Sequence, residues 1–138
     1  MVHQERITVT TSGEGDIIDL TPAVHRCVEA SGAENGVCTL FVIGSTAAIS
    51  TIEYEDGVLD DLRGALERVA PSDIIYAHDR RWGDGNGRSH VRASFVGPSL
   101  TLPVEHGSPV LGTWQQVVLL ELDIRQRRER TVVCTVLP

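Results

Sequence analysis

The chain has 138 residues, 41% of them hydrophobic, and a formal charge of −7 at pH 7, which suits one buried core and is too little for two independent domains. That acidic balance disfavours a phosphate-backbone footprint, so nucleic acid is not an expected partner. No apolar run approaches the ~20 residues of a bilayer span, and the opening Met1-Val2-His3-Gln4-Glu5-Arg6 lacks a basic-then-apolar leader, so the expected location is cytoplasmic with no membrane partner.

All 12 basic residues are arginine, which removes lysine nucleophiles and Schiff bases from consideration and favours planar, bidentate recognition of phosphate or carboxylate. Cys27, Cys38 and Cys134 each sit in an apolar segment without CxxC spacing. They read as small buried hydrophobes in a reducing compartment rather than as a metal or redox set.

In chain order, residues 6–11 alternate apolar and polar with β-branched side chains and predict a strand with one buried face. Residues 16–20 follow a Gly-rich turn as a short strand or helix lead-in. Thr21 and Pro22 predict an N-cap and first helical residue, with Val24, Cys27 and Val28 at helical spacing until Ser31-Gly32. His25 falls off that stripe and reads as a surface residue. Residues 37–43 form an apolar strand, Gly44-Ser45-Thr46 interrupts it, and residues 47–52 resume it with small and β-branched side chains. Residues 58–70 carry Leu59, Leu62, Leu66 and Val69 as a helical stripe, with Asp60 and Asp61 near the positive end of the dipole, and Pro71 ends the helix.

Beyond the central loop, short strands are expected at 91–96 and 100–104, followed by a turn at 105–108 that leaves His106 in solvent. The longest strand is expected at 113–123, where Val117, Leu119 and Glu121 alternate with Val118, Leu120 and Leu122. A charged connection at 124–130 leads to a last strand at 131–137. The whole predicts a single α+β domain over residues 1–138, a largely antiparallel sheet covered by two helices.

The chemistry concentrates between Tyr76 and Gln115. His78-Asp79 is expected to close one strand and His90 to open the next, so both imidazoles would face the loop of Gly83, Gly85 and Gly87. They are candidates for general acid/base work or metal ligation, with Asp79, Asp84, Asn86 and Glu121 available as further ligands. Arg80, Arg81, Arg88 and Arg92 flank a loop whose backbone amides can approach an anion, most plainly a phosphorylated small molecule. The loop matches neither a Walker loop nor a dinucleotide fingerprint. Trp114 and Gln115 can stack and hydrogen-bond a planar heterocycle, and equally can serve the core or a subunit contact. Glu121, a carboxylate within an apolar strand, needs a metal or an arginine if it faces inward.

These residues resemble the YjbQ-like, or UPF0047, family, which is associated with a secondary thiamine-phosphate synthase activity. The resemblance runs through Gly44-Ser45-Thr46-Ala47-Ala48, Ile52-Glu53, Tyr76 with His78-Asp79, Asp84-Gly85-Asn86-Gly87 and His90-Val91-Arg92-Ala93-Ser94. It continues through Gly97-Pro98-Ser99-Leu100-Thr101, Leu111-Gly112-Thr113-Trp114-Gln115-Gln116, and Glu121 with Arg125 and Arg128. It implies a homotrimer of compact α+β subunits and a transferase that condenses a pyrimidine diphosphate with a thiazole phosphate. The implied catalytic set is His78, His90, Asn86 and Glu121. The implied substrate-binding set is Arg88, Arg92, Thr46, Trp114 and Gln115, with a divalent ion, Mg or Zn, on His78 and His90. Many bacterial members carry histidine where this chain has Gly44 and Arg88, a departure that depletes a metal centre and gives an anion site one more donor. The alternative reading is a sensor or carrier that binds a phosphorylated metabolite without turnover.

Overall fold

The computed structural model describes all 138 residues. Eight strands and four helices follow in the order β1 (His3–Thr11), β2 (Ile17–Asp19), α1 (Thr21–Ser31), β3 (Gly36–Ile43), β4 (Ala47–Glu53), α2 (Asp56–Val69), α3 (Ala77–Trp82), α4 (Gly87–Val96), β5 (Ser99–Glu105), β6 (Ser108–Pro109), β7 (Gln115–Glu121) and β8 (Arg128–Leu137). They build two antiparallel sheets, one ordered β1-β8-β3-β5-β6 and one ordered β2-β7-β4. The α+β class and the antiparallel pairing agree with the sequence. No helix is long and apolar enough to cross a membrane.

Strand β7 explains the layering. Its alternation sends Val117 and Leu119 into a core shared with α1, β3, β5 and β8, and sends Val118 and Leu120 into a second core under α2 and α4. Burial of each such side chain contributes about 1.5–3 kcal/mol, so a strand covered on both faces anchors two layers at once. Helix α1 starts one residue earlier than expected, with Leu20 at the cap and the Thr21 N–H donating to the Asp19 carboxylate at 2.9 Å. In α2, Leu59 and Leu66 are buried as the stripe requires, whereas Val69 is exposed.

Three expectations fail: the strand expected to be longest, at 113–123, is the 7-residue β7, shorter than the 10-residue β8, and two segments read as strand are helical. His78-Asp79 does not close a strand but lies in the short helix α3, and His90 with residues 91–96 belongs to α4. There are therefore four helices rather than two. The buried positions of α4 are Gly87, Ser89, Arg92 and Ala93: they are small or charged, so the helix carries no apolar stripe for a sequence reading to find.

All three cysteines are free and buried, as expected, and burial pushes the Cys27 thiol up from its ordinary value. Arg130, fully buried on the inward face of β8, meets the fully buried Glu121 at the end of β7. The Arg130 Nε donates to Glu121 Oε1 at 2.8 Å and its Nη2 donates to Oε2. Thr11 Oγ1 at 2.7 Å and the Asp123 amide at 3.1 Å complete four hydrogen bonds to one carboxylate. Removing one partner of such a pair leaves a buried charge uncompensated, at a cost of about 3–5 kcal/mol. Glu121→Gln and Arg130→Met are each expected to lower unfolding stability by that order in a urea titration. A loss within the range of a surface substitution, about 0.5 kcal/mol, would mean that the pair does not hold the sheets together.

Candidate functional site

From the ion pair a polar chain runs outward to α4. Arg130 Nη2 donates to Thr46 Oγ1 at 2.8 Å, and the same hydroxyl donates to Asp123 Oδ2 at 3.0 Å. Asp123 Oδ2 also accepts from Arg128 Nη1 at 2.6 Å and from Asn86 Nδ2 at 3.3 Å. Burial alone would raise the Asp123 carboxyl, but hydrogen bonds from the Arg125 amide, Thr46 and Asn86, with the Arg128 guanidinium, outweigh it and hold the group below the ordinary aspartate range. Asn86 caps α4, and its Oδ1 accepts from Ser89 Oγ at 2.8 Å and from the Ile124 amide at 3.1 Å. The backbone oxygen of Asn86 receives the His90 N–H, so the chain fixes where His90 projects. Thr46, Asn86 and Glu121 thus have their polar atoms engaged by protein.

His78 and His90 do come together, from two helices rather than two strand ends, with ring centroids 4.6 Å apart and planes tilted by 48°. Gly87 permits this approach, because a Cβ there would overlap Tyr76 Cβ and come within 3.1 Å of Asp79 Oδ1. His78 Nδ1 is buried without a hydrogen-bond partner, 3.3 Å from Asp84 Oδ1 and 3.6 Å from Asp79 Oδ1. The ligand atoms of His78, Asp79 and Asp84 all lie within 4.8 Å of one another. His90 lines two adjoining cavities. One, of about 170 Å³, is walled by Gly44, Ser45, Ala93, Ser94 and Pro98; the other, of about 380 Å³, by Val91, Ser94 and Phe95.

Arg88 and Arg92 do not join this group. Arg88 makes a bidentate pair with Glu14 at 2.8 and 3.0 Å, which raises the guanidinium further above its usual value. Arg92 is buried against the Ala70 carbonyl at 3.0 Å, Glu67 at 2.6 Å and Glu14 at 3.4 Å. The Ser72 amide and hydroxyl, with Arg92 adding to them, hold the Glu67 carboxyl at about 2. The groups expected to clasp a phosphate meet protein partners here: Arg88 Nε and Nη2 face a carboxylate, and Arg92 Nε, Nη1 and Nη2 face a carbonyl and two carboxylates. The glycine loop is filled likewise: the Asn86 amide donates to Asp84 Oδ1 at 3.1 Å and the Gly87 amide to Asp79 Oδ1 at 2.9 Å.

Trp114 and Gln115 also lie elsewhere. The indole is exposed beside a cavity of about 640 Å³ lined by Asp19, Glu53, Tyr54, Glu55 and Asp56, none of which belongs to the histidine group. Gln115 bridges the Gly112 amide and Thr51 Oγ1 and lines a groove with Ile49 and Leu102. Within one chain, then, the indole and the imidazoles have no common cavity.

The family model for the UPF0047 protein YjbQ-like matches residues 5–138. A UPF0047 protein of Methanothermobacter thermautotrophicus is 40% identical over 133 residues, covering 96% of this chain and 92% of the relative. The chain belongs to the UPF0047, YjbQ-like family. A second UPF0047 relative, from Archaeoglobus fulgidus, is 36% identical and covers 92% of this chain and 96% of its own. Among solved structures, a YbjQ-like protein of Sulfolobus solfataricus superposes with a TM-score of 0.91 at 34% identity, covering 99% of this chain and 96% of that one.

Within this UPF0047 chain, the sequence marks Asp79 and Asp84 as ligand candidates but gives no hint of Glu14, Glu67 or Asp123. Arg130 escapes a sequence reading too, although it carries a usable signal, since it shares the inward alternation of Val132, Cys134 and Val136 along β8. Gly44 sits beside His90, and a Cβ there would meet Arg130 Nη1 at 2.9 Å, so a side chain at this position requires the buried arginine to shift.

Asp123 yields a pH test with a definite sign. Its folded-state pKa is depressed, so its contribution to stability is complete above the ordinary aspartate range and is lost as pH falls through the lower folded value. The melting temperature of Asp123→Asn should therefore lie well below that of the unsubstituted chain at neutral pH, with the gap closing below about pH 4. A gap independent of pH would contradict a carboxylate held by these hydrogen bonds.

Proposed function

We propose that this UPF0047 chain acts on a phosphorylated small molecule in a reaction that depends on a divalent cation held by His78, Asp84 and Asp79. The observation that carries this is the buried, unpartnered His78 Nδ1 lying between two carboxylates. A nitrogen with two carboxylate oxygens is a donor set that suits Zn²⁺ better than Mg²⁺, which prefers all-oxygen coordination. When bound, the ion would supply the positive charge that a phosphate or pyrophosphate group needs. Two of the arginines near the loop do not supply it, because Glu14 and Glu67 neutralise Arg88 and Arg92.

His90, on the wall of the adjoining cavities, is the group that would hold or move a proton at the substrate. Asn86 and Ser89 set its helix in place. The reaction we assign is the one the family resemblance implies, condensation of a pyrimidine diphosphate with a thiazole phosphate. In it the thiazole nitrogen forms a bond to the pyrimidine methylene as the methylene–oxygen bond breaks and pyrophosphate leaves. We further propose a cytoplasmic homotrimer, for which exposed Phe41 and Ile43 on β3 offer an apolar surface.

A second reading, binding without turnover, draws on the engagement of Arg88 and Arg92 by carboxylates, which takes two of the expected clamps from a departing pyrophosphate, and on the separation of Trp114 from the histidines. Pyrophosphate release from the two substrates, measured with metal-stripped protein and after adding Zn²⁺ or Mg²⁺, distinguishes the readings. The transferase reading expects release only with metal, and His90→Ala should cut turnover about a hundredfold or more while ligand affinity stays within a few-fold. Ligand binding by calorimetry with no release under any metal would establish the carrier instead. His78→Ala should abolish metal binding at this site, and unchanged metal stoichiometry in that variant would overturn the proposed ligand set.

A further inference from the structure

The inward face of β1 departs from the pattern of the strand it pairs with. Alternation points His3, Glu5, Ile7, Val9 and Thr11 toward the interior. Ile7 and Val9 pack against the main core, but the first two positions put an imidazole and a carboxylate in the same row. In the ladder with β8, His3 lies opposite Val136 and Glu5 opposite Cys134, and both partners are fully buried. A strand that needed only to cover α1 would continue with apolar residues here. Local rules broken without structural need are where function is sought.

The fully buried Cys27 faces this row from α1. His3 Nε2 is 2.8 Å from Glu5 Oε1, and the ligand atoms of His3, Glu5 and Cys27 lie within 4.8 Å of one another. The other two thiols stand directly behind: Cys27 Sγ is 3.9 Å from the Cys134 carbonyl, and Cys134 Sγ is 3.4 Å from Cys38 Sγ. Those two cysteines are not a disulfide in waiting. Cys134 pairs across the ladder with Leu40 and Cys38 with Val136, a diagonal relation that spans ~7–8 Å and exceeds the reach of a disulfide without backbone movement.

We propose that His3, Glu5 and Cys27 form a second site, separate from the one at His78, that takes a borderline-soft divalent cation of the Zn²⁺ class between β1 and α1. Imidazole, carboxylate and thiolate are the donors zinc selects, and three of them leave a fourth position for water. Strand alternation puts a His-x-Glu pair on one face without distortion. The side chains of His3 and Glu5 are 31% and 40% exposed, so an ion reaches the buried sulfur from their side. On binding, the Cys27 S–H bond breaks, its proton goes to solvent and a sulfur–metal bond forms.

The test uses the full chain carrying His78→Ala and His90→Ala, which silences the other site, stripped of metal and titrated with Co²⁺. One ion per chain should bind with a thiolate-to-cobalt charge-transfer absorption in the near ultraviolet, displaced by Zn²⁺. Cys27→Ser should abolish the band, and His3→Ala should weaken Co²⁺ binding about tenfold or more. Should Cys27→Ser fail to fold, His3→Ala and Glu5→Gln decide the matter alone, since both change partly exposed side chains. Absence of the band at millimolar Co²⁺, or a band of unchanged affinity in both of those variants, overturns the proposal. Neither result bears on the His78 site, which is disabled throughout.

Discussion

The buried pair of Glu121 and Arg130 is the constraint on which the rest of this architecture depends. Two sheets face each other across an apolar core, and at one end of that core a carboxylate and a guanidinium, both fully buried, replace hydrocarbon. Their desolvation cost is offset only because the geometry is bidentate and because Thr11 and the Asp123 amide satisfy the remaining acceptor capacity of Glu121. A hydrophobic pair of the same volume would hold the layers as well. It would not, however, extend a hydrogen-bonded chain through Thr46 and Asp123 to Asn86. The ion pair therefore contributes position more than net stability: it ties the first turn of α4, and with it His90, to the two sheets.

How much of this is legible in the sequence follows from the physics of each element. Strand β7 is plain because both of its faces are apolar, and α2 because its leucines recur at helical spacing. Glu121 stands out as an anomaly that demands an arginine or a metal, and only the fold decides between the two. Helices α3 and α4 are not legible. The inward positions of α4 are glycine, serine, arginine and alanine, and its Val91 and Phe95 imitate a short strand. Helix α3 has no buried residue at all and stops where Gly83 takes a left-handed conformation. A hydrophobic period cannot report a helix held by a polar network.

The same difference separates the site residues that converge from those that do not. His78, Asp79, Asp84 and His90 are near neighbours in sequence, and a short helix pair brings them together. Arg88 and Arg92 share that segment, but helical geometry turns them toward Glu14 and Glu67, away from the cavities that His90 lines. Trp114 is carried off on the approach to β7, where its neighbours are acidic. Proximity along the chain suggests one cluster, whereas the change from extended to helical backbone splits it into a group of imidazoles and carboxylates and a set of structural ion pairs.

Under the proposed reading an acidic protein takes an anionic ligand, and the charge distribution bears on how it would do so. The guanidiniums of Arg88, Arg92, Arg128 and Arg130 and two amides of the glycine loop are engaged by the chain's own carboxylates. Beside His78 stand the carboxylates of Asp79 and Asp84 and the His90 imidazole, so the local field at that nitrogen favours positive charge. With a cation held there as proposed, metal binding and phosphate binding would be positively coupled, each strengthening the other by the same factor. A phosphate analogue that bound equally well with and without the ion would show that the anion is held by some other group, and the electrostatic account of the site would have to be rebuilt around it.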